Sequence, residues 1–210
     1  MNAEVMHNCL VRLLPHVDSA RIALTGGVAI GLHVAQIDGD PTRAAAAEDI
    51  DFVAESATAL RPTVTADFLV SHFHLPHSGY PKFLVQLVDP VTRLRLDFFP
   101  DTLEALGRAS VVNVVGVLLR VLEARDVFEH KVRLLADASG ATPVEEKHYG
   151  DAARLAAHFG REVPPVPRSQ RVSTVYSRDL DNTCARCHAS RSAAFPLAPK
   201  RAIFEVLGYV

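Results

Sequence analysis

Apolar side chains first recur at helical spacing. Val5, Met6, Cys9, Leu10, Leu13 and Leu14 fall on one side of a helix over residues 3–14, and Pro15 ends the pattern. Arg21 to Leu24 then predicts a short strand, Gly26-Gly27 interrupts it, and a helix of small residues runs to about Ile37. The stretch DGDPTRAAAAED begins as a loop, and its alanines fit either a helix or irregular chain. Ile50 to Val53 predicts a strand, and residues 67–75, 82–88 and 93–99 predict three more. The last two flank Asp89-Pro90-Val91-Thr92, a hairpin turn. In SVVNVVGVLLRV, valines interrupted by Asn113 and Gly116 suggest a second hairpin. From about Leu122 the period becomes helical through Val127, His130, Lys131, Leu134 and Leu135. A further helix spans about Val144 to Phe159 and closes at Gly160. Pro164, Pro165 and Pro167 then make a linker-like break.

Two strand patterns place charge beside core. In Glu48-Asp49-Ile50-Asp51-Phe52, residues two apart share a strand face. Asp49 and Asp51 therefore project together, while Ile50 and Phe52 point to the opposite side. Paired carboxylates repel, and each makes the other harder to ionise unless a cation lies between them. Carboxylate oxygens facing one space suit Mg²⁺ or Mn²⁺. In VTRLRLDFFPD, Leu94, Leu96 and Phe98 alternate with Arg93, Arg95 and Asp97. If this strand pairs beside the first, three carboxylates converge. Such a cluster can hold the two ions that activate an attacking oxygen and neutralise a leaving pyrophosphate. The diglycine has a matching use: at a helix start, its N–H groups can meet phosphate oxygens. Thr25 could add a hydroxyl.

The chain of 210 residues is long enough for one substantial domain, or a domain with an appendage. Its formal net charge of -2 marks no general polyanion binder, but the charge is uneven, with +4 from Arg168 onward against -6 before it. No apolar run reaches the roughly 20 residues of a membrane helix. The N-terminus reads as an amphipathic helix rather than a signal peptide, which gives the expectation of a cytoplasmic protein without membrane partners.

Taken in order, Gly26-Gly27, Asp49-x-Asp51 and Asp97 resemble the nucleotidyltransferase superfamily with the DNA polymerase beta-type palm. Among its members the chain is similar to small bacterial AbiEii-type toxins and to minimal or aminoglycoside-type nucleotidyltransferases. The start "GG-x-A" of that group matches Gly26-Gly27-Val28-Ala29, and its arginine before D-x-D matches Arg43. Its threonine there is not matched, because Ala47 and Glu48 occupy the region. The likeness covers about residues 20–160. It implies an α+β, two-layer fold: a mixed β-sheet palm with helices on one face, then a helical C-terminal region. With the proline break and the charge pattern it gives the expected division: 1–105 for the palm, 106–163 for a hairpin and helices, and, beyond the likeness, 164–210 for a Pro-rich linker and basic tail. It further implies that Asp49 and Asp51 hold both metals and that Asp97 completes the catalytic one. Gly26 and Gly27 would bind nucleotide phosphates, with Thr25, Arg43 and Lys131 as further contacts. Lys131 and Asp151 also fit as surface charges on amphipathic helices. The implied reaction moves a nucleoside monophosphate from a nucleoside triphosphate such as ATP to an acceptor: a small molecule, RNA or protein hydroxyl. The alternative is a nucleotidyltransferase-fold binding module with weak or no turnover, such as a toxin–antitoxin component.

Cys184-Ala-Arg-Cys187-His188 has the spelling of a haem attachment site, which requires export, or of a partial zinc site. Cys184, Cys187 and His188 supply up to three Zn²⁺ ligands, and Cys9 or another histidine would have to complete the set. Arg178, Arg186 and Arg191 could instead touch an anionic acceptor. His72, His74 and His77 invite a metal, but also read as polar-face histidines of a half-exposed strand. GGVAIG lacks the Gly-Lys-Ser/Thr ending of a P-loop, and no serine sits in a nucleophile elbow.

Overall fold

Strand pairing brings the three aspartates to the middle of one sheet. A computed structural model of the chain describes residues 2–39, 47, 49–76, 82–138, 144–166 and 171–172. The chain divides into two compact units, Met1–Ser173 and Thr174–Val210, and the described residues belong to the first. In chain order this unit runs α1 (Ala3–Leu13), β1 (Ile22–Thr25), α2 (Gly26–Asp38), β2 (Asp49–Ala54), the single turn α3 (Val64–Asp67), β3 (Leu69–His74), β4 (Leu84–Val88) and β5 (Arg95–Pro100). The hairpin β6 (Ser110–Val114) and β7 (Val117–Val121) follows, then α4 (Ala124–Ala138) and α5 (Glu146–Phe159). Val144–Glu145 and Arg171–Val172 form a separate two-stranded ladder, β8 and β9.

The seven-stranded sheet has the order β3-β4-β5-β2-β1-β7-β6. It is mixed: β2 runs parallel to β5, β1 runs parallel to β7, and the other neighbours are antiparallel. With its helices the fold is α+β. Alternation within β2 and β5 creates the core at the sheet centre. Ile50, Phe52, Leu96 and Phe98 are fully buried, and the rings of Phe52 and Phe98 stack with centroids 5.0 Å apart. Helix α2 buries Val28, Ala29, Ile30 and Val34, and packs on β1, β2, α4 and α5. Helix α1 buries Met6, Cys9, Leu10 and Leu13, and its Asn2 cap accepts from the Glu4 amide at 2.7 Å.

Element edges differ from the sequence pattern where tertiary hydrogen bonds intervene. Helix α4 starts at Ala124 rather than Leu122, because the Leu122 amide donates to the Leu24 carbonyl at 3.0 Å and prolongs the β1–β7 pairing. Helix α5 starts at Glu146, because Val144 and Glu145 pair with Arg171 and Val172. Strand β3 starts at Leu69, after Phe68 closes the α3 turn onto Val64. Strand β5 starts at Arg95, since Arg93 takes a left-handed φ of 61° in the preceding turn.

That turn is built on Asp89, whose exposure is 0%. Its carboxylate accepts from the Val91 amide at 3.0 Å and the Thr92 hydroxyl at 2.8 Å, and Arg12 Nε lies 3.4 Å away. Burial nearby pushes the Cys9 thiol up to about 12, so it is inert packing rather than a nucleophile. No helix among the described residues is long and apolar enough to cross a membrane.

Candidate metal and phosphate site

The site lies where β1 ends and β2 and β5 begin. Thr25 is the register partner of Asp51 across the antiparallel β1–β2 pair. On the other side of β2, the parallel register places Asp49 beside Arg95 and Asp51 beside Asp97. Period-two alternation puts these four side chains on one face, so D-x-D meets R-x-D as a square. One oxygen from each of Asp49, Asp51 and Asp97 lies within 4.8 Å of the others. They are the one group among the described residues with three or more potential ligands so arranged.

These carboxylates fit a small hard cation. Octahedral Mg²⁺ takes oxygens at roughly 2.0–2.1 Å, which puts opposite ligands about 4 Å apart. The cluster needs to close by less than about 1 Å to meet that spacing. Its electrostatics suit a cation too. Burial, followed by the charges of Asp49 and Asp97, pushes Asp51 up to about 7. Asp97, 4% exposed, is pushed up to about 6, chiefly by burial. Arg95 and a 3.1 Å hydrogen bond from Gln86 Nε2 oppose that rise. A divalent ion would supply the counter-charge that burial and mutual repulsion leave these carboxylates needing.

The diglycine corner touches this cluster. Gly26 has φ +63, the left-handed region that side chains disfavour. A Cβ there would lie 1.8 Å from Asp51 Oδ2 and 2.7 Å from Asp51 Cβ. Glycine therefore lets the backbone pass directly over a cluster carboxylate. Gly26 and Gly27 form the first turn of α2, and no side chain caps it. Their amides belong to the set of N–H groups that a helix start leaves for an anion. Thr25, the N-cap residue, is 5% exposed.

Two residues of the helical region are not the surface charges that an amphipathic pattern suggests. Lys131 is 6% exposed and Asp151 3%. The Lys131 ammonium lies 2.9 Å from His148 Nδ1 and 3.8 Å from Asp151 Oδ2, and its charge acts to lower the Asp51 pKa. The signal was present: Val127, Phe128, Leu134 and Leu135, the residues three and four away, place Lys131 within the apolar stripe of α4. Sequence reasoning also passed over Arg95 and Gln86 as site residues. Arg95 sits on the polar face two residues before Asp97, and Gln86 is the one polar residue in the core strand Leu84–Val88. Arg43, Cys184, Cys187, His188 and His77 lie outside the described residues. His72 and His74 stack on each other, with His72 Nε2 and His74 Nδ1 3.2 Å apart.

No protein-family model and no curated protein matches the sequence. Three solved structures are similar in outline. An antigenic nucleotidyltransferase-like protein from Paracoccidioides brasiliensis is 17% identical with TM-score 0.40, over 79% of this chain and 75% of that one. A provisionally assigned nucleotidyltransferase from Helicobacter pylori is 15% identical with TM-score 0.41, over 75% and 68%. JHP933 from Helicobacter pylori is 15% identical with TM-score 0.44, over 74% and 65%. Likenesses this distant say nothing of activity, which has to be argued from the site.

Proposed function

We propose that the chain is a metal-dependent nucleotidyltransferase that moves a nucleoside monophosphate from a nucleoside triphosphate to an acceptor hydroxyl. One observation carries the reading: three carboxylates from two adjacent strands converge within 4.8 Å, against a left-handed glycine at an uncapped helix start. Cation ligands and phosphate donors are thereby placed side by side. Within this class, the Gly26-Gly27-Val28-Ala29 start supports kinship with the small AbiEii-like and aminoglycoside-type enzymes.

Asp49, Asp51 and Asp97 would hold Mg²⁺ or Mn²⁺. A bound divalent cation supplies charge neutralisation at the polyphosphate and activation of the attacking oxygen. The amides of Gly26 and Gly27 would donate to phosphate oxygens, and Lys131, held by Asp151 and His148, adds positive charge that acts on Asp51. A cluster carboxylate takes the proton of the acceptor hydroxyl. That oxygen attacks the α-phosphorus in line, the bond to the β-phosphate breaks, and pyrophosphate leaves. Residues 106–163, which include α4 and α5, would shape the acceptor side.

The test is thermal unfolding with each of the four nucleoside triphosphates, with Mg²⁺ or with chelator. Nucleotide and cation together should raise the transition by more than the sum of the shifts that each gives alone. Protection that ignores chelator, or none with any nucleotide, overturns the proposal. Asp97→Asn should then abolish pyrophosphate release, a loss of at least about 10³-fold for removal of a metal ligand.

The Arg95 ion pairs favour a second reading, in which the cluster is partly neutralised from within and serves a binding module such as a toxin–antitoxin component. Such a module keeps its biological effect as Asp97→Asn; an enzyme loses it.

A further inference from the structure

Arg95 shares the cation position of the cluster. Its Nη2 donates to Asp49 Oδ2, and its Nε lies 3.2 Å from Asp97 Oδ1. Register explains why one side chain reaches both. Arg95 stands directly beside Asp49 across the parallel β2–β5 pair and two residues before Asp97 on its own strand. The guanidinium consequently lies along the row of oxygens that a metal would take. Its fork suits this role, because each nitrogen can serve a different carboxylate.

The charge balance gives the consequence. Three ionised carboxylates and one guanidinium sum to two negative charges, which one divalent ion cancels. A second ion would face Arg95 as a like charge, without spare negative charge to hold it. A nucleoside triphosphate brings that charge, and its phosphates offer the guanidinium a bidentate partner.

We propose that Arg95 is an internal counter-ion that competes with divalent cations for Asp49 and Asp97, so that the full metal complement loads only together with a polyphosphate. The inference rests on the nucleotidyltransferase reading and adds to it a loading order and a residue that enforces the order. Arg95 is here a positioning residue, acting through the carboxylates it holds.

The experiment titrates the full chain with MnCl₂ alone, following unbound Mn²⁺ by electron paramagnetic resonance, for the wild type, Arg95→Met and Arg95→Lys. Arg95→Met should bind Mn²⁺ at least tenfold more tightly and bind more ions per chain. Arg95→Lys, which keeps the charge, should stay within about threefold of the wild type. Repeating the titration with a non-hydrolysable triphosphate should remove most of the difference between Arg95→Met and the wild type. Unchanged or weaker Mn²⁺ binding by folded Arg95→Met overturns the inference. Should Arg95→Met not fold, the wild-type Arg95 Nε–H resonance decides. It should shift at most partly with Mg²⁺ alone and complete the shift with Mg²⁺ plus the triphosphate; a shift complete with Mg²⁺ alone overturns the inference. A tighter Arg95→Met that triphosphate does not affect would sustain the competition with metal and refute the nucleotide-linked loading and the nucleotidyltransferase reading. Absence of Mn²⁺ binding to all three proteins, both with and without the triphosphate, would remove both proposals.

Discussion

Gly26 is the residue at which backbone conformation and site chemistry are one constraint. Its φ of +63 is disfavoured for any side chain, and the space a Cβ needs is already filled by the Asp51 carboxylate. Forcing an L residue into that conformation costs roughly 1–2 kcal/mol, and the clash adds to it. Gly26→Ala should therefore lower the melting temperature by at least about 4 °C and abolish stabilisation by Mg²⁺ with nucleotide. Gly39→Ala, at a position with φ +71 and open space for a Cβ, carries the same backbone strain away from the cluster and is the control in the same calorimetric scan. If Gly26→Ala keeps full cation-dependent protection, the corner is only a turn. The contrast also marks what single residues disclosed before the fold was known. Asp49, Asp51 and Asp97 could be read because alternation shows which face a strand residue takes. Arg95 could be placed on that same face, but not as a partner of Asp49. Pairing register is a property of two strands, and no single strand states it.

Among elements, the β6–β7 hairpin shows a local conflict that tertiary contacts overrule. Val114 pairs with Val117, leaving Val115 and Gly116 as a two-residue loop with φ of 46° and 90°. Both central residues of such a turn need positive φ, which suits Asn-Gly and opposes a β-branched valine. The turn is held from outside: His7 on α1 donates from Nδ1 to the Val115 carbonyl at 2.8 Å. The Gly116 amide also donates to Asn113 Oδ1 at 2.7 Å. Val115→Asn should relieve the strain and keep both contacts, for a gain of about 1 kcal/mol and about 2–4 °C in a thermal melt. A melting temperature unchanged or lowered would show that the valine side chain stabilises the turn by more than its backbone costs. The hairpin itself was legible from valine alternation around Gly116. Its attachment was not: β7 joins β1 in parallel after an intervening stretch of about ninety residues, and no local pattern records a long-range pairing. Element ends shifted for the same reason, since the Leu122 amide and the Val144–Glu145 backbone bond to distant strands.

At the scale of the whole molecule, the clustered acids make stability depend on pH in an unusual direction. The ordinary carboxyl value is 3.8, and in the folded chain Asp51 rises to about 7 and Asp97 to about 6. Between the ordinary and raised values the folded state holds protons that the unfolded chain has released. Linkage then requires stability to fall as pH rises through that window, with the full penalty present above pH 7. Two half-buried imidazoles act the other way. Burial lowers the His72 and His130 pKa values, so acid below about 6.5 favours unfolding through them. The Asp51 share is isolated by comparing Asp51→Asn with the wild type at each pH, without metal. At pH 8 the variant should be more stable by about 1–3 kcal/mol, or several degrees, and the gap should narrow as pH falls through 7 and be lost only near 3.8. Adding Mg²⁺ at pH 8 should raise the wild type and leave Asp51→Asn nearly unmoved, because the ion supplies the counter-charge that protonation supplies in acid. A gap independent of pH would mean that Asp51 is already satisfied by Lys131 and Arg95. The carboxylates would then have no unmet charge for a cation to neutralise.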